Sequence, residues 1–371
     1  MRKKKNFPID ADNFDKVFTH EHLYQAYKKC ILGVSWKSSV QKYKCFALEN
    51  IHKAYVQVHA GTYRSQGFTE FNINERGKTR HIRSIKIEER VVQRCLTDYA
   101  LLPVLSRSLI YDCGACLKGK GYTFAQDRCK KHIHDFIRKH GTDGYVLLFD
   151  FSKYFDNIDH SIIEKILREN FTDERLISLT MYFVSQFGEK GLGLGFQISQ
   201  ILALIFANRL DHYIKEVLQV KYYARYMDDG YLIHESKEFL LFCKSEIERI
   251  CKELNIKLNP KKVQLVKLRH GFTFLQCRYF ITESGKVISK INHKSIGRER
   301  RKLKKLHKRY VNGSMTLFDC AQSLQSWVSY AARFDSYYTV QSMENLFKDL
   351  FGVDYRDVKF ERVTHENNPE K

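Results

Sequence analysis

Proline is scarce in this 371-residue chain, with four copies, and tryptophan scarcer still, with two. No low-complexity block, internal repeat or long polar spacer divides it into independent modules. No stretch approaches the roughly 18 consecutive apolar residues that a membrane span requires, so no membrane partner is expected. The basic start, MRKKKNFPID, is not followed by an apolar segment; a secretory signal is not expected, and a cytoplasmic location is. Ten cysteines without regular pairing fit reduced thiols and exclude a disulfide-stapled scaffold. Acids are also under-represented: 42 Asp and Glu face 63 Lys and Arg, a formal net charge of +21. That surplus implies a polyanionic partner, nucleic acid being the commonest. Apolar residues at 43% and aromatics at 13% are enough for a sizeable core and exclude general disorder.

Periodicity places the elements. Apolar residues three and four apart (Phe18, Leu23, Tyr24, Tyr27, then Phe46, Leu48, Ile51, Tyr55, Val58) predict helices over 15–60. Alternation of Ile82, Ile85 and Ile87 predicts a basic strand leading into a helix near Glu88. The run Tyr-Val-Leu-Leu-Phe at 145–149 predicts a buried strand ending at Asp150. One long helix is expected over 198–219, two short strands about a tight turn over 221–234, and a helix over 237–255. Glycines cluster at 114–121 and 191–195. From Lys286 to Arg309 there are eleven Lys and Arg against one acid, Glu299, and a helix is expected after Gly297 with only Leu303 and Leu306 as an apolar edge. Like charges at i,i+4 repel unless a polyanion neutralises them, which points to Arg298, Arg300, Arg301, Lys304, Lys305 and Lys308 as nucleic-acid contacts.

Three acids carry the chemistry. Asp150 ends the apolar strand in FDFSKYFDNIDH, while Asp228 and Asp229 are adjacent in RYMDDGYLIH. Asp229-Gly230 alone reads as a hairpin turn. A second acid beside it is unfavourable unless a cation sits there, and Asp150 offers a third ligand. Three carboxylates meeting at strand ends can hold two Mg²⁺ about 4 Å apart, with Mn²⁺ as a substitute, for in-line phosphoryl transfer. Cys113-x2-Cys116-x12-Cys129-x2-His132 has zinc-like spacing, but small buried thiols are the expected reading.

With these motifs in order, the chain resembles bacterial-type reverse transcriptases, the group of group II intron, retron and diversity-generating-retroelement enzymes, over roughly residues 76–282. GKTRHIRSIKIEERVVQRCL resembles the fingers motif and IYDCGACLKGKGYTFAQDRCKKHI the one after it. FDFSKYFDNIDH resembles motif A, LGFQISQ motif B, YMDD motif C, LNPKKV motif D and FTFLQCRYF motif E. The resemblance implies an α/β right-hand polymerase with an antiparallel-sheet palm. Fingers would come from 1–140 with 160–190, palm from 141–159 and 191–285, and a basic helical thumb and tail from 286–371. It implies RNA-directed DNA synthesis from dNTPs on an RNA template with a DNA or RNA primer. By the same resemblance, Asp150, Asp228 and Asp229 hold the metals and Lys262 protonates the leaving pyrophosphate. Lys78 and Arg80 grip the triphosphate, Phe155 blocks a 2′-hydroxyl, and Met227 lies beside the primer end. Leu194, Gly195 and Gln200 line the nascent pair.

Two positions depart from the common pattern. Leu194 and Gln200 replace the usual Gln and Pro of motif B, a form similar to that of diversity-generating retroelements and implying low fidelity opposite adenine, with a small basic accessory protein as partner. A stand-alone antiphage-defence enzyme with a dedicated non-coding RNA is the alternative, and a non-catalytic RNA-binding scaffold is the alternative of another class. Gln276 stands where motif E usually has glycine.

Overall fold

Helices come first among the described residues. The computed structural model describes residues 9–75 and 78–359, apart from the side chains of residues 9, 75, 78 and 80. Helix His20–Cys30 starts where the Thr19 hydroxyl accepts from the His22 amide, and buries Leu23, Ala26, Tyr27 and Cys30 against helix Ile87–Leu96. Helix Ala47–His59 buries Ile51, Ala54 and Val58, whereas Phe46 and Leu48, expected on that apolar face, are exposed. Strands β1 (Phe68–Glu75) and β2 (Lys78–Ile85) form an antiparallel hairpin, registered from Phe68 opposite Ile85 to Glu75 opposite Lys78. The backbone of Arg80 pairs with Ile73; the side chains of Lys78 and Arg80 lie outside the described residues.

The fold is mixed α/β with antiparallel pairings, as the sequence predicts. Its compact units are two: the chain up to Arg128 with Val146–Leu265, and Cys129–Tyr145 with the chain from Val266 onward. A four-stranded sheet lying mostly in the first unit is built from β3 (Tyr145–Asp150), β4 (Tyr222–Tyr226), β5 (Asp229–His234) and β6 (Gln264–Lys267), in the order β4-β5-β3-β6. Val146, Leu147, Leu148 and Phe149 are all buried, which is why this strand reads as a continuous apolar run rather than an alternating one.

The expected turn sits two residues earlier than the Asp-Gly signal suggests. Tyr226 pairs with Asp229 and Arg225 with Gly230, so Met227 and Asp228 form the two-residue loop and Gly230 lies within β5. Met227 takes a φ of 54°, the left-handed region that a hairpin demands of its first loop residue and that usually selects glycine. Gly230 answers a different need: a Cβ there would lie 2.3 Å from the Phe149 ring. The missing side chain is what lets β3 press its phenyl ring onto the hairpin.

The single helix expected over 198–219 is broken. Helix Gln197–Phe206 stops at Ala207, a short helix covers Asn208–His212, and a π turn follows at Tyr213–Val217. No proline or glycine causes the break. The carbonyls of Ala203 and Leu204, which a continuing helix would engage, instead accept from the Tyr154 hydroxyl at 2.6 Å and Arg225 Nη2 at 2.9 Å.

The second unit carries a three-stranded antiparallel sheet, β7 (Phe272–Phe274), β8 (Cys277–Ile281) and β9 (Val287–Ile291), and helices His293–Val311, Leu317–Ala331 and Tyr337–Phe351. Leu275 and Gln276 form the β7–β8 turn with φ of 46° and 61°. The Gln276 carbonyl accepts from the Asn292 amide, and its side-chain oxygen accepts from Arg298 Nη2 at 3.2 Å. The basic helix begins at His293, earlier than expected, because the Asn292 side chain caps it by accepting from the Lys294 amide. Leu303 and Leu306 are buried with Leu324, Trp327 and Phe347. No helix among the described residues is long and apolar enough to cross a membrane.

Gly230→Ala should lower stability by about 1–3 kcal/mol through overpacking against Phe149, read as the midpoint of chemical denaturation. Adding Phe149→Leu should recover part of that loss. Two additive losses would show that the ring contact is not the cause.

Candidate active site

Asp150 closes β3 and β5 begins at Asp229, and these two strands are neighbours in the sheet. The backbone fixes their relation further, since the Phe151 amide donates to the Asp228 carbonyl at 3.2 Å. Asp150, Asp228 and Asp229 each present a carboxylate oxygen, and these atoms all lie within 4.8 Å of one another. Among the described residues this is the one group of three or more His, Cys, Asp or Glu side chains placed to share a metal ion. Cys113 and Cys129 are buried and Cys116 is exposed; with His132 they form no such group.

Three like charges so close repel by about 3 kcal/mol per pair at an effective dielectric near 20. Burial pushes the Asp228 carboxyl above the usual carboxylate range, and the charge of Asp150 adds to it. Burial, then the charge of Asp228 and the hydrogen bond with Asp150, push Asp229 up to about 8. One cation already answers this field. Lys262 donates to Asp150 Oδ2, and although partial burial would lower its pKa, that hydrogen bond and the three acids raise it.

The approach of Lys262 has a local cause in LNPKKV. Pro260 sets a tight turn in which the Lys262 amide donates to the Asn259 carbonyl at 2.9 Å, while the Lys261 amide donates to the Asn259 side chain at 3.1 Å. Asn259 binds the acid directly: its amide donates to the Asp150 carbonyl at 2.7 Å and its Nδ2 to Asp150 Oδ1 at 3.5 Å. Sequence reasoning passed over Asn259, although an Asn-Pro pair just after an apolar run is a turn signal.

The other candidates each have their own surroundings. Phe155 is half-buried on the turn after β3, its ring edge-on to Tyr154 at 5.9 Å. Its carbonyl accepts from the Leu192 amide at 2.8 Å, and a Cβ on Gly191 would meet the Asp156 carbonyl at 3.0 Å, so the glycine-rich segment lies flush on the Phe155 turn. Leu194 lines a cavity of 270 Å³ with His81, Arg83 and Lys190. Gly195 and Gln200 line a separate cleft of 910 Å³ with Lys86, Arg90 and Phe196. Gly195 has a φ of 91° with open space around it, so the backbone conformation demands glycine there. Met227 occupies the turn itself. In the second unit, Arg301, Lys304, Lys305 and Lys308 are exposed at helical spacing on one face, Arg301 donating to the Gly297 carbonyl; Arg300, also exposed, donates to Ser342, and Arg298 to Gln276.

The raised pKa of Asp229 fixes a sign. Its proton favours the folded state, so this contribution is complete below the ordinary value of 3.8 and is lost as pH rises through about 8. Asp229→Asn mimics the protonated form. In chelator it should melt like the parent near pH 4 and increasingly higher toward pH 9, by roughly 1–2 °C per kcal/mol relieved. An equal difference at both pH values would contradict the assignment.

The geometry can be set beside known proteins. The family model described as reverse transcriptase (RNA-dependent DNA polymerase) matches residues 73–279, more than half of the chain. Among curated proteins none matches. Among solved structures, telomerase from Candida albicans in complex with a TWJ fragment of telomeric RNA is similar at 11% identity and a TM-score of 0.48. That match covers 82% of this chain and 65% of the telomerase chain, so this chain spans less than two thirds of its relative. The motifs and the family match agree, and the chain belongs to the reverse transcriptase (RNA-dependent DNA polymerase) family.

Proposed function

We propose that this protein extends a primer with dNTPs on an RNA template, with Asp150, Asp228 and Asp229 holding two Mg²⁺ ions, Mn²⁺ substituting. The observation that carries the reading is the convergence of the three carboxylates within 4.8 Å. Hard carboxylate oxygens suit Mg²⁺ and Mn²⁺. Bound there, the ions would supply Lewis-acid stabilisation of charge developing during in-line displacement at phosphorus.

The chain's own groups have definable parts. Burial and mutual repulsion raise the proton affinity of Asp229 and Asp228, so cations binding there would compete with protons. Lys262, partly exposed and attached to Asp150 from one side, holds a proton at Nζ and is free to move toward a leaving pyrophosphate. Phe155, on the turn beside Asp150, blocks a 2′-hydroxyl, while Lys78 and Arg80 on β2 bind the triphosphate. The stripe of Arg301, Lys304, Lys305 and Lys308 tracks the phosphates of the template–primer duplex. In this reading residues 1–140 with 160–190 act as fingers, 141–159 and 191–285 as palm and the remainder as thumb.

We further place the chain among bacterial-type enzymes, in a diversity-generating retroelement acting with a small basic accessory protein. Leu194 supports this: a half-buried apolar side chain stands where a hydrogen-bonding glutamine is usual, which relaxes checking of the template base.

Primer extension tests the central reading. Asp228→Ala and Asp229→Ala should each lower extension by about 100-fold or more, and Phe155→Val should raise ribonucleotide incorporation by roughly tenfold or more. A parent chain inactive on every template would favour a non-catalytic RNA-binding scaffold. Sequencing cDNA from a defined template tests the finer reading. Errors should concentrate opposite adenine and fall severalfold in Leu194→Gln; errors spread evenly over the four bases would favour the antiphage-defence alternative, copying a non-coding RNA.

A further inference from the structure

Arg225 is fully buried, and so is Asp211, its ion-pair partner. Arginine is almost never this deep without a full set of acceptors. Here the guanidinium divides its oxygen-directed donors among three segments, with the Cys113 sulfur a further, longer contact of Nη2 at 4.0 Å. Nε donates to Asp211 Oδ1 at 2.7 Å and Nη2 to Asp211 Oδ2 at 2.6 Å, a two-pronged pairing across to helix Asn208–His212. Nη2 also reaches the Leu204 carbonyl at 2.9 Å, at the end of the broken helix. Nη1 donates to the Met227 carbonyl at 2.8 Å, inside the turn that carries Asp228 and Asp229. The buried Tyr223 hydroxyl donates to Asp211 Oδ1 at 2.5 Å and holds the acid in line.

Stability alone is a poor reason for this arrangement. A buried ion pair can usually be replaced by packed apolar side chains of similar volume without loss. What apolar side chains lack is direction, and direction is what the Met227 turn needs. Met227 holds a backbone conformation that a residue with a Cβ adopts reluctantly, and its carbonyl is fixed by the guanidinium. The same network reaches the other acid's neighbourhood, because Tyr154, next to Phe155, anchors to the carbonyl one residue before Leu204.

We propose that the Arg225–Asp211 pair is a positioning clamp that sets the Met227–Asp228 turn, and with it how tightly the three carboxylates hold a divalent cation. The inference rests on the polymerase reading above. Arg225 and Asp211 touch no reacting atom; they act through the turn. Lysine at 225 would keep the charge beside Asp211 but lose the planar fork that serves three acceptors at once.

The test uses the full chain, with Mn²⁺ as the probe, titrated by electron paramagnetic resonance without nucleic acid, and primer extension measured in parallel. Arg225→Lys should weaken Mn²⁺ binding and lower kcat by about 10-fold each, with KM for dNTP held within about twofold. Asp211→Asn should shift both in the same direction by a smaller factor, and it carries the comparison if the lysine variant fails to fold. Variants that melt lower yet bind Mn²⁺ and turn over like the parent would overturn the clamp and leave a purely structural pair. A parent chain that binds no Mn²⁺ at millimolar concentration would overturn it too. A parent that extends no primer, while the variants still lose Mn²⁺ affinity, would sink the polymerase reading alone and keep the clamp.

Discussion

Mutual repulsion among three carboxylates is the constraint around which this molecule is organised. Asp150, Asp228 and Asp229 are held closer than free carboxylates would tolerate, and each feature nearby reduces or exploits that cost. Lys262 supplies one positive charge from the turn after Asn259. Burial, with the neighbouring acids, raises the proton affinity of Asp228 and Asp229. The cluster fits a divalent-cation site, where a bound cation would offset the repulsion that Lys262 offsets in part.

Holding such a site requires a frame that does not yield, and the frame is apolar. The buried run of β3 brings Asp150 to its end, and Phe149 locks that strand onto the hairpin through the gap left by Gly230. Helix Gln197–Phe206 is buried along nearly its whole length and ends where side chains from two other segments capture its last carbonyls. One break in a helix thus serves two purposes: it satisfies a buried guanidinium and it ties the hairpin to the core. The small cavity is lined by Gly191, Leu192, Gly193 and Leu194 and the cleft by Gly195 and Phe196, so both border the glycine-rich segment.

Much of this was legible from the residues. The apolar run before Asp150, the paired acids of RYMDDGYLIH and the ordered motifs mark the centre, and the one-signed charge of 286–309 marks a basic segment that is strand at Val287–Ile291 and helix from His293. The misreadings share a cause. Gly230 looked like a turn residue because Asp-Gly is a strong local signal, yet the glycine answers to a phenyl ring 81 positions earlier in the chain. The long helix looked continuous because nothing in its own sequence interrupts it; the competing donors come from Tyr154 and Arg225. Phe46 and Leu48 fitted a helical apolar face that the surrounding helices do not cover.

Local pattern determined which segments are strand or helix and which acids sit at their ends, because period and burial are written into successive residues. Tertiary structure alone decided which groups meet: Lys262 and Asn259 with Asp150, Arg225 with Asp211, Phe149 with Gly230. Such pairings depend on strand order and on how one backbone approaches another, and side-chain periodicity carries no information about either.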